Sequence, residues 1–172
     1  MNNLFDRMIR AAKLDVNLYE EVEADKTALG QSMTVVILSS LAAGIGSITY
    51  GGLPGIIMGT ISALIGWLIW SYLTYIIGTK ILPTPETRAD YGELLRTIGF
   101  SSSPGLIRIL GIIPGLTAIV MFVAGVWMFI TMIIAVRQAL DYTSTLRAVG
   151  VCIIGAIIQG IVMGIFFGLM KG

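Results

Sequence analysis

Three side chains in this sequence could do chemistry in an apolar setting: Arg108, Gln159 and Cys152. Arg108 is a fixed cation, Gln159 carries two donors and an acceptor, and Cys152 is the lone thiol. A cation and an amide at membrane depth are groups that can line a solute path, and an intramembrane amide is also a common hydrogen-bond donor between helices. Cys152 lies in an apolar run, where a free cysteine behaves as a small hydrophobe. The chain has no histidine, which excludes histidine-ligated haem, a histidine metal site, a histidine base and a histidine pH switch. No carboxylate falls between Met33 and Ile81 or in the apolar segments beyond Ile109, so carboxylate proteolysis and carboxylate proton relays are not expected. No Gly-x-Ser-x-Gly elbow, His-Glu-x-x-His, P-loop or dinucleotide fingerprint occurs. The expectation is therefore no enzyme, no metal and no cofactor, with a bound lipid or carotenoid as the remaining small-molecule contact.

The elements that position these groups follow from composition. Of 172 residues, 56% are hydrophobic and 12% charged, against about 25% charged in ordinary soluble domains. That apolar content suffices for four or five crossings at ~20 residues each. The net charge of +1 does not suit nucleic acid, which calls for a dense basic patch. Thr27 to Thr79 is free of charge over 53 positions, ~80 Å as helix against a hydrocarbon core of ~30 Å, so it must fold back. The turn signal Gly51-Gly52-Leu53-Pro54-Gly55 divides it into Met33–Tyr50 and Pro54–Ile81. Ala148 to Met170 reads as one clean span, and Leu116 to Val136 as another after the break at Pro114-Gly115. Gly99 to Ile113, carrying Arg108, is short: it lies on the surface, re-enters, or crosses with Arg108 against a neighbour or snorkelling.

The distribution of Lys and Arg favours five spans over four. Five spans put nine basic residues on one side (Arg7, Arg10, Lys13, Lys26, Lys80, Arg88, Arg96, Arg137, Arg147), leaving Lys171 opposite and Arg108 in the bilayer. The positive-inside bias then makes the N-terminus cytoplasmic. The expected fold is all-α, a polytopic transmembrane bundle with a short third span. Residues 1–32 form an amphipathic cytoplasmic or interfacial segment and 33–172 the transmembrane domain. The first apolar run begins near Met33, behind a charged stretch, which is not the pattern of a secretory signal.

In the N-terminal segment, Leu4, Phe5, Met8, Ile9 and Ala12 share one helical face, with Asp6, Arg7, Arg10 and Lys13 on the other. Asn17 and Glu20 have capping-box spacing, and Glu20, Glu21, Glu23 and Asp25 read as a solvated face. Glu86 to Thr97 reads as a short amphipathic helix after Pro83-Thr84-Pro85.

The strongest local pattern is steric. Ala148, Cys152, Ala156, Gly160, Gly164 and Gly168 recur at every fourth position, Gly55, Gly59 and Ala63 open the second span, and Ser39, Ala43 and Ser47 mark the first. Small residues four apart let helix backbones approach closely, within the bundle or against a partner helix.

Leu95-Arg96-Thr97-Ile98-Gly99-Phe100-Ser101-Ser102-Ser103-Pro104 followed by Ile113-Pro114-Gly115 resembles the Gly-aromatic-Ser-x-x-Pro start and following break of the third span in the Yip-domain family, the Ypt/Rab-interacting membrane proteins and their prokaryotic relatives. Trp127, the exit Val136-Arg137-Gln138-Ala139-Leu140-Asp141-Tyr142 and Thr145-Leu146-Arg147-Ala148 look like the bacterial members. The resemblance runs from about residue 30 to the end. Asp15-Val16-Asn17-Leu18-Tyr19 lacks the Gly-Pro of the eukaryotic motif, so Rab binding is not carried over. The resemblance implies five spans, a cytoplasmic N-terminus, no catalytic residues and a role as adaptor or organiser among other membrane proteins, itself or lipids. A scaffold or small accessory subunit in a prokaryotic inner membrane is the expected function, with a small transporter or channel as alternative.

Overall fold

The computed structural model describes residues 3–170, and side chains as far as residue 161. Among the described residues there is helix and loop and no strand. Seven α-helices follow one another: α1 Leu4–Ala12, α2 Val16–Ala24, α3 Leu29–Gly46, α4 Ile48–Ile76, α5 Tyr91–Ser101, α6 Thr117–Ala139 and α7 Thr145–Met170. A π-helical turn, Ile77–Ile81, extends α4, and a 3-10 segment, Ser103–Ile112, extends α5. Lys26–Gly46, Ile48–Ile81 and Thr117–Ala139 are each long and apolar enough to cross a membrane.

Side-chain contacts give the direction of every pass. Gly99, Gly105 and Gly111 meet Ser32, Ser39 and Gly46 in the same order, so α5 and its 3-10 extension run parallel to α3. Thr131 of α6 meets Ser101, and Met128 meets Gly105, so α6 returns antiparallel. Gly150 of α7 lies by Leu82, and Gly155 by Trp70 and Ile77, so α7 starts up antiparallel to α4. The chain makes four passes and begins a fifth. At one end the cap formed by α1 and α2 meets the loops after α4 and α6: Arg96 donates to Val22 O at 2.9 Å, Arg88 N–H to Asp141 Oδ2 at 3.3 Å, and Arg147 to Pro83 O at 3.2 Å. All ten acidic residues and nine of the eleven basic ones belong to this end; Arg108 sits within the bundle. The opposite end, at residues 47–55 and 113–116, carries none.

Four local expectations are corrected. The helix α3 stops at Gly46 rather than Tyr50, because Gly46 is wedged against the backbone at Arg108; the expected glycine turn survives as a kink at Gly52, whose φ of +58° suits only glycine. The short helix expected from Glu86 starts at Tyr91, capped by a reciprocal Asp90–Glu93 box, and it, rather than Gly99, opens the third pass. Its eleven α and ten 3-10 residues would span roughly 36 Å end to end, because a 3-10 turn rises ~2.0 Å per residue. The cap of α2 is Asp15, accepting from Asn17 N–H at 3.0 Å, because Leu14 at φ +65° already ends α1 one residue earlier. The acidic run is not simply solvated: Glu21 and Asp25 face the buried Arg7.

Arg7 is 1% exposed and donates to Glu21 at 2.9 Å, Asp25 at 2.8 Å and Gln31 at 2.8 Å. Arg10 adds Asp15 at 2.8 Å and Glu21 at 2.6 Å. These bonds set the acid chemistry of the cap. Thr27 and Arg7 hold Asp25 down at about 2, and Arg10 and Arg7 lower Glu21. Glu23 goes the other way: burial, with Glu93, Asp141 and Glu20 nearby, pushes it up to about 8 despite Arg96. One of its carboxylate oxygens is enclosed without a hydrogen bond.

Candidate functional site

The motif around Gly99 is a docking surface built from backbone. A methyl group at Gly99 would stand 2.5 Å from Ser32 Cβ. Phe100 is fully buried in the cluster that holds the cap, with Met8, Leu18 and Tyr19. Ser101 donates to Ile98 O at 2.7 Å, and its carbonyl accepts from Thr131 at 2.7 Å. Pro104 has no N–H for the Phe100 carbonyl; the Ser103 hydroxyl donates there instead, at 2.7 Å. The missing α-bond also explains why the helix tightens to 3-10 from Ser103 onward. Beyond it, at Gly105, a Cβ would collide with Ser39 Oγ, and at Gly46 with the Arg108 carbonyl oxygen. Gly111 and Gly46 are in direct backbone contact. The result is a parallel seam with small residues at Ser32, Ser39 and Gly46 on one side and Gly99, Gly105 and Gly111 on the other.

Arg108 hangs from this seam. Its carbonyl is level with Gly46, yet its guanidinium reaches back to Ser39, donating to the backbone O at 2.9 Å and to Oγ at 2.7 Å, while Nε donates to Gly105 O at 3.0 Å. Seven residues of α3 separate Gly46 from Ser39, about 10 Å along the axis. The side chain therefore points into the bundle and away from its nearer end; it does not snorkel. It lines a cavity of about 470 Å³ together with Gln159, Trp67 and Trp70. Trp67 donates to Leu95 O at 3.0 Å, whereas the enclosed Trp70 indole N–H has no acceptor among the described residues. The two polar groups singled out in the sequence, far apart along the chain, thus share one space.

The other sequence candidates scatter. Pro114 is exposed in the turn before α6, beside Gly115 at φ +84°. Gly55 and Gly59 are exposed on α4, and a Cβ at either would meet nothing within 4 Å among the described residues. Of the stripe on α7, Ala148 and Cys152 are buried, Ala156 and Gly160 are exposed, and the side-chain positions of Gly164 and Gly168 lie outside the described residues. A four-residue step turns 400°, so such a stripe drifts 40° per step around a straight helix. The buried face of α7 runs instead through Ala148, Val151, Cys152 and Gly155.

Sequence reading missed Ser32 and Gly46 and named several other contributors without their roles. Ser32, Ser39 and Gly46 recur every seven residues and their partners every six, a pair of spacings that signals the seam only when both are set side by side. Tyr142, fully inside the loop junction, donates to Leu82 O at 2.7 Å, and Arg137 Nε returns to Tyr142 O at 3.1 Å, latching the α6–α7 loop to the end of α4. Trp127 bonds Ala12 O at 2.8 Å and ties α1 to α6.

Residues 18–167 match the Yip1 domain. No curated protein and no solved structure matches the chain. The matched stretch holds α2, the parallel seam, the Arg108 cavity and the Tyr142 latch, and on that match the chain belongs to the Yip1 family of membrane proteins.

Proposed function

We propose that this chain is a non-catalytic membrane adaptor or small accessory subunit, lying in a prokaryotic cytoplasmic membrane with its charged cap in the cytoplasm. The observation that carries the adaptor reading is the open strip on α4. Gly55 and Gly59 sit on the outer side of a helix that the described part of the bundle barely covers, with no atom of the described residues within 4 Å of a Cβ at either position. In lipid, close approach through small residues is a main source of helix association, so this strip suits a partner's transmembrane helix. Purification in a mild detergent followed by mass spectrometry of what accompanies the chain tests it. A Gly55→Leu/Gly59→Leu double variant should fold as the parent does and lose the accompanying protein; full retention would overturn the reading.

The orientation rests on the basic residues gathered at the capped end. Reporter cysteines at Tyr50 (82% exposed) and Thr143 in a Cys152→Ala background check it from outside intact cells. Tyr50→Cys should label and Thr143→Cys should be protected; the reverse pattern would invert the topology.

The second reading, a small transporter or channel, has in its favour the cavity shared by Arg108 and Gln159. Solute flux in proteoliposomes that disappears in Arg108→Gln would support it over the adaptor.

A further inference from the structure

The Arg108 cavity has features that neither an adaptor strip nor plain packing requires. Arg108 spends Nε and Nη2 on Gly105 and Ser39, leaving Nη1 without an acceptor among the described residues. Among the described residues no carboxylate pairs with it and none lines the cavity. A cation inside a bundle without a counter-charge is costly, and such groups mark binding sites or pathways. Ser40, Trp67 and Ser101, also in the lining, donate to backbone carbonyls, and Trp70, Gln159 and Ser102 are further groups there that can donate. The remaining walls are apolar, including Val36, Met128 and Phe129. On its outer side lie Gly66 of α4 and Gly125 of α6, and a Cβ on either would meet nothing within 4 Å among the described residues. The space therefore opens between two helices whose outer faces are apolar. A volume of about 470 Å³ falls within the usual range for ligand sites.

We propose that this cavity takes one anionic phospholipid from the bilayer, its phosphate on Arg108 Nη1 and its chain leaving between α4 and α6 past Gly66 and Gly125. Guanidinium suits phosphate by charge and by hydrogen-bond geometry. The apolar walls and lateral opening favour a lipid over a free anion, and the unpaired cation favours an acidic lipid over a carotenoid. The site is independent of the strip at Gly55 and Gly59, so either proposal can fail alone.

The test uses the full chain in nanodiscs of equal parts phosphatidylglycerol and phosphatidylcholine, extracted gently and read by native mass spectrometry. The wild type should keep one phosphatidylglycerol per chain, with about a tenfold preference over phosphatidylcholine. Arg108→Gln should lose the preference, and Arg88→Gln, in the loop, should keep it. Gly125→Leu fills the opening from a position where an added Cβ meets nothing within 4 Å among the described residues, and should lose the bound lipid with the fold intact by circular dichroism; it carries the test if Arg108→Gln does not fold. Equal retention of both lipids by the wild type, or unchanged retention in Gly125→Leu, would overturn the proposal. Excess inorganic phosphate should leave the lipid in place; displacement by phosphate would assign the site to a free anion instead.

Discussion

Gly46→Ala should destabilise the bundle by about 3 kcal/mol or more, since overpacking a close-packed contact costs ~1–3 kcal/mol and here the obstacle is backbone. The added methyl would land on the Arg108 carbonyl oxygen, with the Arg108 carbonyl carbon 2.9 Å away. Neither chain can yield by turning a side chain: α3 and the 3-10 segment would have to part along the whole seam, dislodging the guanidinium from Ser39 as they do. For a chain of this length that loss corresponds to a fall in melting temperature of roughly 6–12 °C. Gly59→Ala is the control. It adds the same methyl to a helix position with nothing within 4 Å among the described residues, where exchanging glycine for alanine gains up to ~1 kcal/mol. The measurement is thermal unfolding of both variants in one detergent. Equal melting temperatures would mean that the seam does not hold the third pass in place.

That seam marks the limit of what could be read from the sequence. The charge-free stretches, the break near Pro114 and the gathering of charge at one end were legible because each is a property of a contiguous segment, set by the bilayer's intolerance of unpaired charge. The family motif was legible as a string, Gly99 to Pro104, but its physics was not. Its glycine answers Ser32, 67 positions away, and its proline matters through the freed Phe100 carbonyl. A pairing between an α-helix stepping by seven and a tightened segment stepping by six shows no common period, so the eye goes to the regular every-fourth stripe on α7. That stripe follows sequence periodicity more faithfully than it follows a face. The third pass looked too short for the related reason that 3-10 geometry lengthens it and that its first two turns carry Glu93 and Arg96, which the capped end accommodates. Arg108 and Gln159 were both visible as anomalies, and only the fold could bring them to one cavity.

In the N-terminal cap the amphipathic helix was legible, but its pattern does not say which face the rest of the chain covers. Phe5 and Ile9, on the apolar face, are exposed, while Arg7 is buried among acids. Arg7→Leu should therefore release the cap. Removing one partner of a buried ionic cluster costs ~3–5 kcal/mol, and here it strips Asp25 and Gln31 of Arg7 and leaves Glu21 with Arg10. Arg10→Leu, whose side chain is 29% exposed, should cost ~1 kcal/mol or less. The bundle below would persist, so the readout is local: hydrogen exchange of residues 3–28 and tryptic cleavage after Lys13 and Lys26. The pH dependence has two limbs of opposite sign. Asp25 and Glu21 are depressed below their ordinary values, so the stability they add is complete above about pH 4.5 and is lost as pH falls towards 2. Glu23 is raised from 4.5 to about 8, so its contribution is complete below 4.5 and drains away as pH rises to 8. Protection of the cap should therefore peak near pH 4–5. Arg7→Leu should shrink the acid limb, which Thr27 and Arg10 still sustain in part, and Glu23→Gln should flatten the alkaline one, since a neutral amide beside Glu93, Asp141 and Glu20 carries no charge to repel. A wild-type cap whose protection is constant from pH 3 to 8, or an Arg7→Leu cap as well protected as the parent, would show that these carboxylates ride on the fold without fastening it.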